Sequence, residues 1–170
     1  TGLMQDLLTR GIDEQGNLRT EETHKFKDSP LGRIPVEWEL VTLSQVCETI
    51  TDGVHFAAPK TDTGIPFLFV SCIRDGEILL RKSGFVSQKT YNLISVGGEP
   101  VAVAILYTVV GPYGHAATLK NECKLAFERN IAFILPNKDA LVPVYLTLWL
   151  NSEYGKSTAE TVALGNAQKL

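Results

Sequence analysis

Cysteine is scarce in this sequence, and its few copies stand far apart. The 170 residues include three, Cys47, Cys72 and Cys123. An odd number at such wide spacing argues against a disulfide framework and favours free thiols of a cytoplasmic protein. The three histidines show no close ligand spacing with these cysteines, so no zinc site is predicted.

Long apolar runs are missing as well. The longest extends from Val101 to Tyr107 and continues past Thr108 into two valines, which is about half of the roughly 20 residues that a membrane-spanning helix needs. It predicts a buried strand, and no membrane partner is expected. The sequence starts at Thr1 without a signal-peptide pattern, and its single methionine, Met4, falls in a predicted helix. We therefore expect a piece of a longer cytoplasmic polypeptide.

Net positive charge is also lacking, since the formal net charge is −3. Sequence-independent affinity for DNA comes from Lys and Arg side chains on phosphates. Composition alone therefore argues against a simple polyanion binder. The charge is unevenly distributed, however. Residues 60–89 contain five basic and three acidic side chains, whereas many acidic residues precede Trp38.

Motifs of catalytic sites are absent or incomplete. Gly155-Lys156-Ser157 resembles the end of a phosphate-binding loop, but Leu150 occupies the place of the required glycine. The sequence has no G-x-S-x-G nucleophile elbow. We predict a protein that is not an enzyme, with no catalytic, cofactor-binding or metal-binding residues and no small-molecule substrate.

One partial match keeps an enzymatic alternative open. Glu122-Cys123-Lys124 has the Glu-x-Lys pattern of metal-dependent nucleases, in which carboxylates hold Mg²⁺ and the lysine stabilises developing charge. Such a site needs an aspartate a few tens of residues upstream, yet none occurs between Gly76 and Glu122. The segment is better explained as a turn between strands, and a small nuclease or hydrolase is the alternative.

The periodicity of the chain predicts an α/β or α+β fold, with short helices around a mixed, strongly twisted sheet. Leucines and Met4 at helical spacing predict a helix capped by Gly11, and residues 13–37 form a polar linker. The globular domain then extends over residues 38–170. Thr42 and Gln45 form a capping box before apolar positions that continue to Ile50, which predicts a short amphipathic helix.

Further local signals place strands, turns and helices in this domain. Asp75-Gly76 predicts a hairpin turn, and Val101–Val110 predicts a buried strand that ends in the turn Gly111–Gly114. Ser87 is a helix cap. Pro143 suits the first turn of a helix that extends to residue 150, and another helix follows Ser152.

Several phrases resemble, in the same order, those of the specificity subunits of type I restriction-modification enzymes. They are GLMQDLLT at 2–9, SPLGRIPVEW at 29–38, DGVH at 52–55, GIPFL at 64–68, DGEI at 75–78, VGPYG at 110–114, PVYL at 143–146 and LGNAQK at 164–169. The resemblance covers nearly the whole chain. The sequence departs from the family pattern at Gly98-Glu99-Pro100, where Gly-Asp is common, and at His115, where Arg is common.

The resemblance implies a non-catalytic DNA target-recognition domain, the second of its subunit. It would comprise the end of a spacer helix at residues 1–12, the linker, and a recognition domain truncated at its C-terminal end. In this family the domain reads one half of a bipartite site in double-stranded DNA. Methyltransferase (modification) subunits, and through them the restriction subunit, are the implied protein partners. A recognition domain of a fused restriction-modification enzyme is the closest alternative.

Two loops are the candidate DNA-contacting segments, Thr51–Lys60 and Gly111–His115. Their glycines permit close approach of the backbone to a ligand, while their side chains offer contacts to bases or phosphates. The alternative for His55, Tyr113 and His115 is a purely structural role in a loop or turn. Basic residues of the locally basic segment complete the set of candidates. The full set is Thr51, His55, Lys60, Arg74, Lys82, Lys89, Tyr113, Gly114 and His115.

Overall fold

The computed structural model describes residues 2–95 and 101–167. The Gly98-Glu99-Pro100 departure and the last two residues of the LGNAQK phrase lie outside the described residues. The helices are α1 Gly2–Thr9, α2 Leu43–Val46, α3 Gln88–Ile94, α4 Pro143–Asn151 and α5 Glu153–Ala167. None of the helices in the described ranges has the length and apolar content required to cross a bilayer.

Short strands and 3-10 turns alternate with these helices, so the fold belongs to the α+β class, as predicted. The strands are β1 Phe26–Lys27, β2 Ile34–Pro35, β3 Cys47–Asp52, β4 Ile65–Leu68, β5 Ile73–Arg74, β6 Glu77–Ile78, β7 Gly84–Val86, β8 Ile105–Thr108, β9 Ala116–Thr118, β10 Ala126–Phe127 and β11 Ile131–Pro136. The 3-10 turns are Val70–Cys72 and Leu80–Lys82.

The chain folds into two compact units. One comprises the N-terminal residues up to Val41 together with the C-terminal segment from Ser152, and the other is Thr42–Asn151. The C-terminal helix α5 therefore groups with the N-terminal residues, although the sequence alone placed it in the recognition domain. All the candidate residues fall in the second unit.

The first unit contains α1 and a small two-stranded sheet. Helix α1 ends before Gly11, whose φ of 65° is the left-handed conformation predicted for a helix cap. Within the segment predicted as a linker, β1 and β2 pair antiparallel, with Phe26 opposite Pro35. Arg33 forms ion pairs with Glu21 and Asp28 across this segment.

The second unit is built on two sheets and a hairpin. Strands β3-β11-β8-β9 form an antiparallel four-stranded sheet. Strands β10-β4-β7 form a second sheet in which β10 and β4 are parallel, so the unit as a whole has mixed pairing. The β5-β6 hairpin turns at Asp75 and Gly76, both with positive φ, as the sequence predicted.

The apolar run of the sequence becomes the most buried strand of the larger sheet. All four residues of β8 are buried, because Leu106 packs into one apolar cluster while Ile105 and Tyr107 pack with Leu146 and Leu150 of α4 on the opposite face. Strands covered on both faces are apolar along their whole length. The strand is shorter than the predicted Val101–Val110.

The predicted amphipathic helix from the capping box to Ile50 is wrong beyond its first turn. The capping box forms between Thr42 and Gln45, but α2 ends at Val46 and Cys47–Asp52 is strand β3. Thr49, Ile50 and Thr51 are all β-branched, which favours the extended backbone and its pairing with β11 over continued helix.

Candidate functional site

The register of the four-stranded sheet brings the ends of several strands together on one side of the sheet. Asp52, the last residue of β3, lies opposite Ala132, and Thr108, the last residue of β8, lies opposite Ile131. Because all the pairings are antiparallel, the ends of β3 and β8 and the starts of β9 and β11 share one end of the sheet. The two predicted loops therefore emerge side by side.

A short bend before β11 joins these loops through its backbone. The N–H of Arg129 donates to the carbonyl of Val54 at 3.1 Å, and the carbonyl of Asn130 accepts the N–H of Val109 at 2.9 Å. The bend at residues 128–130 thus lies between the two loops. We call residues 51–55, 111–115 and 128–130, together with Arg74, the sheet-end surface.

Gly53 is required for the close approach of the first loop to this bend. A Cβ atom at Gly53 would lie 2.2 Å from the carbonyl oxygen of Phe127 and 2.4 Å from that of Glu128. No side chain fits at such distances, so a larger residue would displace the loop from the bend. Gly53 directly follows strand β3, in a region that the sequence predicted to follow a helix continuing to Ile50.

The 111–115 turn is anchored by a buried hydroxyl. Thr108 is fully buried, and its Oγ1 donates to the carbonyl of Pro112 and accepts the N–H of His115, both at 3.0 Å. The backbone of Thr108 also pairs with both Gly114 and His115. Gly111 and Gly114 supply the positive φ values, 77° and 81°, that the turn requires.

A basic side chain from the β5-β6 hairpin reaches this turn. The Arg74 guanidinium contacts His115 Nε2, although the two residues are 41 positions apart. The bridge between Gly76 and Ala117 is parallel and sets Arg74 beside His115. Because a guanidinium only donates, Nε2 is the acceptor, and the contact fixes the orientation of Arg74.

The first loop carries a side-chain hydrogen-bonded pair of its own. Asp52 Oδ2 and His55 Nε2 are 2.6 Å apart, and their side chains are 47% and 65% exposed. Thr51 is also exposed, one residue before the end of β3. Tyr113, at the tip of the other loop, is 41% exposed. These side chains are accessible to a large ligand.

The sheet-end surface thus brings together six of the nine candidates predicted from the sequence. They are Thr51, His55, Arg74, Tyr113, Gly114 and His115. The three lysines lie elsewhere in the unit. Lys82 ends the second 3-10 turn, and Lys89 is on α3.

Lys60 lies against the three-stranded sheet. Its ammonium is 2.9 Å from the centre of the Phe67 ring and 5.4 Å from that of Phe69. Burial lowers the pKa of Lys60, and the charge of Glu128 opposes that shift. The cation–π contact competes with a phosphate for this ammonium.

The sequence analysis did not identify two residues. Arg129 belongs to the sheet-end surface, and Thr108 supports that surface from beneath. Arg129 follows Glu128 in an unremarkable polar bend, and Thr108 interrupts an apolar run. The hydroxyl within the buried run was a usable signal for Thr108, because a buried polar group needs partners. Nothing local distinguishes Arg129.

The sheet-end surface presents hydrogen-bond donors, an aromatic ring and glycine-containing backbone that a ligand can approach closely. In the described part of the chain, no three His, Cys, Asp or Glu side chains come together in a way that could hold a metal ion. Glu122 and Lys124 both lie in the exposed loop before β10. The geometry is suited to recognition of a ligand edge.

Comparison with known proteins adds a second line of evidence. No protein-family model matches the chain. The type I restriction enzyme MjaVIII specificity subunit of Methanocaldococcus jannaschii is 26% identical over 175 residues, which cover 98% of this chain and 38% of that protein. The EcoBI specificity subunit of Escherichia coli is 28% identical over 122 residues, covering 70% of this chain and 26% of that protein.

This chain is similar in sequence to specificity subunits of type I restriction enzymes. The resemblance inferred from the ordered phrases is thereby confirmed. The crystal structure of the HsdS subunit from Thermoanaerobacter tengcongensis matches 79% of this chain and 31% of that chain, with a TM-score of 0.57 and 20% identity, and shows the same fold. The chain spans about a third of the length of these specificity subunits.

Proposed function

We propose that this chain is a DNA target-recognition domain of a type I specificity subunit, the second of its subunit, and that it has no catalytic activity. The chain would direct methyltransferase subunits, and through them the restriction subunit, to one half of a bipartite site in double-stranded DNA. The relationship to specificity subunits supports this role. We propose that residues 1–12 are the end of the spacer helix, 13–37 the linker and 38–170 a recognition domain truncated at its C-terminal end. We also propose that the protein is cytoplasmic.

The sheet-end surface is the proposed DNA-contacting face. The single observation that carries this assignment is the register of the four-stranded sheet, which brings five candidate residues from two separate loops to one end. The β5-β6 hairpin adds the sixth, Arg74, through its contact with His115. Base edges are read by fixed hydrogen-bonding groups, whereas phosphates are bound by positive charge. The Arg74–His115 contact supplies the first kind of group, because it orients a guanidinium fork suited to guanine.

A domain exchange tests the proposal directly. Residues 42–151 of the complete protein are replaced by the corresponding unit of a specificity subunit with a different target, and genomic methylation is mapped in cells that contain the methyltransferase subunits. We expect one half of the methylated site to change while the other half and the spacing stay the same. An exchanged protein that assembles and methylates the original sequence would refute the proposal.

A further inference from the structure

Arg129 occupies the centre of the sheet-end surface. Its backbone N–H is bonded to Val54 of the first loop, and the residue that follows it accepts a hydrogen bond from Val109, which leads into the 111–115 turn. The backbone of Arg129 is therefore held between the two loops by hydrogen bonds on both sides. A ligand that touches both loops passes over this position.

The side chain of Arg129 is exposed and makes no hydrogen bond or ion pair with any residue that the structure describes. The acidic groups nearby are engaged with other partners. Glu128 accepts the backbone N–H of Val70 at 2.9 Å, and Asp52 pairs with His55. The positive charge of Arg129 is thus directed to solvent on this surface.

The contrast with Arg74 indicates the kind of ligand atom that Arg129 meets. Arg74 is oriented by His115, as a guanidinium fork must be in order to discriminate one base from another. Arg129 has no such support among the described residues, so its long side chain samples many rotamers. A mobile cation is suited to a phosphate, whose charge attracts it from many directions.

We infer that Arg129 contacts a DNA phosphate at the centre of the sheet-end surface, a contact that carries no sequence preference. The inference rests on the proposed DNA-contacting role of this surface. Neutralising one phosphate contributes about 0.9 to the slope of log affinity against log salt concentration. Arg129 therefore accounts for about one unit of the salt dependence of binding, on any duplex.

The test uses the complete protein assembled with its methyltransferase subunits and two DNA duplexes, one of mixed sequence and one that carries the site mapped by methylation. Binding is titrated at several salt concentrations for the wild type, Arg129→Ala and Arg129→Lys. The matched control is Lys138→Ala, which removes one exposed positive charge from the loop at the opposite end of β11. Thermal unfolding checks that each variant is folded.

We expect Arg129→Ala to lower the salt slope by about one unit, so that the loss of affinity between 50 and 200 mM salt shrinks by about 3.5-fold. Arg129→Lys keeps most of the slope, because a point charge satisfies a phosphate. Lys138→Ala leaves the slope at the wild-type value.

Two results would overturn the inference. One is a wild-type slope in folded Arg129→Ala. The other is a loss in both Arg129 variants that is confined to duplexes carrying the methylated site, which would make Arg129 a base-reading residue. A wild-type complex that binds neither kind of duplex, at any salt concentration, refutes the proposed function together with this inference.

Discussion

The two loops of the sheet-end surface are held in different ways. The 111–115 turn is fixed from beneath by the buried Thr108 hydroxyl and the strand hydrogen bonds beside it. Residues 51–55 of the first loop are pinned through the backbone at Gly53 and Val54, whereas their side-chain pair, Asp52 with His55, is exposed. Hydrogen bonds made in a buried environment are costly to leave unmade, whereas pairs of exposed side chains contribute little to stability.

This difference assigns different tasks to the two loops. A turn with a fixed backbone and a supported arginine is preorganised, so a wrong base leaves its donors unsatisfied and costs free energy. A loop that adjusts to its ligand contributes contact without much discrimination. We therefore expect specificity to reside mainly in the turn with Arg74, and general affinity to be shared with the first loop.

The largest expected effect comes from breaking the contact between the hairpin and the turn. Arg74→Ala and His115→Ala should each weaken binding to the cognate site by about 1–3 kcal/mol, or about 5- to 150-fold. The two losses should be less than additive, because His115 acts through Arg74. A double-mutant cycle on cognate and non-cognate duplexes measures both quantities.

Arg74→Lys sharpens this experiment. Lysine retains the charge but lacks the planar fork, so it should restore non-specific affinity and not the discrimination. Full recovery of discrimination by Arg74→Lys, or strictly additive losses in the cycle, would contradict base reading by an oriented guanidinium.

The second effect comes from loosening the turn itself. Thr108→Val preserves the shape of the side chain but removes the donor to Pro112 and the acceptor for His115. We expect a destabilisation of about 1–3 kcal/mol and a several-fold loss on the cognate site. Thr108→Ser, which keeps the hydroxyl, should restore the binding. Denaturant unfolding and duplex titration are the two measurements.

Thr147→Val is the matched control for this substitution. Thr147 is also buried, and its hydroxyl pairs with that of Thr118 at 2.7 Å, outside the sheet-end surface. It should lower stability and leave site discrimination intact. If the Thr108 and Thr147 variants lose discrimination equally, the effect is one of general stability and the turn has no special role.

Elements that are set by local chemistry could be predicted from the sequence. The hairpin at Asp75-Gly76, the turn at Gly111–Gly114 and the cap at Ser87 each depend on a few adjacent residues. The prediction that the helix continues to Ile50 is wrong because the last residues of that segment are β-branched and pair with β11. That strand is distant in the sequence, so no local pattern reveals the pairing.

The composition of the surface could be predicted only in part. Thr51, His55 and Tyr113 were identified because they stand in glycine-containing loops. Their convergence, and the inclusion of Arg129, depend on the register between β3, β8 and β11, which no local pattern specifies. The role of His115 as the support of Arg74 likewise arises from strand pairing.

The third effect concerns the first loop and should be smaller. His55→Ala removes an exposed pair with Asp52 and should change cognate affinity by less than about 1 kcal/mol, with little effect on stability. Asp52→Asn removes a negative charge from the proposed DNA-contacting face and should raise affinity slightly for all duplexes. A loss on the cognate site as large as that of His115→Ala would show that both loops discriminate.

The smallest effect concerns Lys60, whose ammonium lies over the Phe67 ring. Lys60→Met keeps an apolar stem on the ring and removes the charge. Because the cation–π contact competes for the ammonium, the salt slope should fall by less than the one unit expected for a dedicated phosphate contact. Titrations of Lys60→Met and Arg129→Ala on one mixed-sequence duplex compare the two slopes.

The pH dependence of the unfolding free energy independently tests the environment of the Lys60 side chain. Burial lowers the pKa of Lys60 from its ordinary value of 10.5, so the folded protein holds this proton less tightly than the unfolded chain does. The contribution of Lys60 to the unfolding free energy therefore increases as the pH rises through the alkaline range below 10.5. Lys60→Met should flatten that part of the profile, as measured by denaturant unfolding. An unchanged profile, together with a full unit lost from the salt slope, would show that Lys60 leaves the ring to bind phosphate.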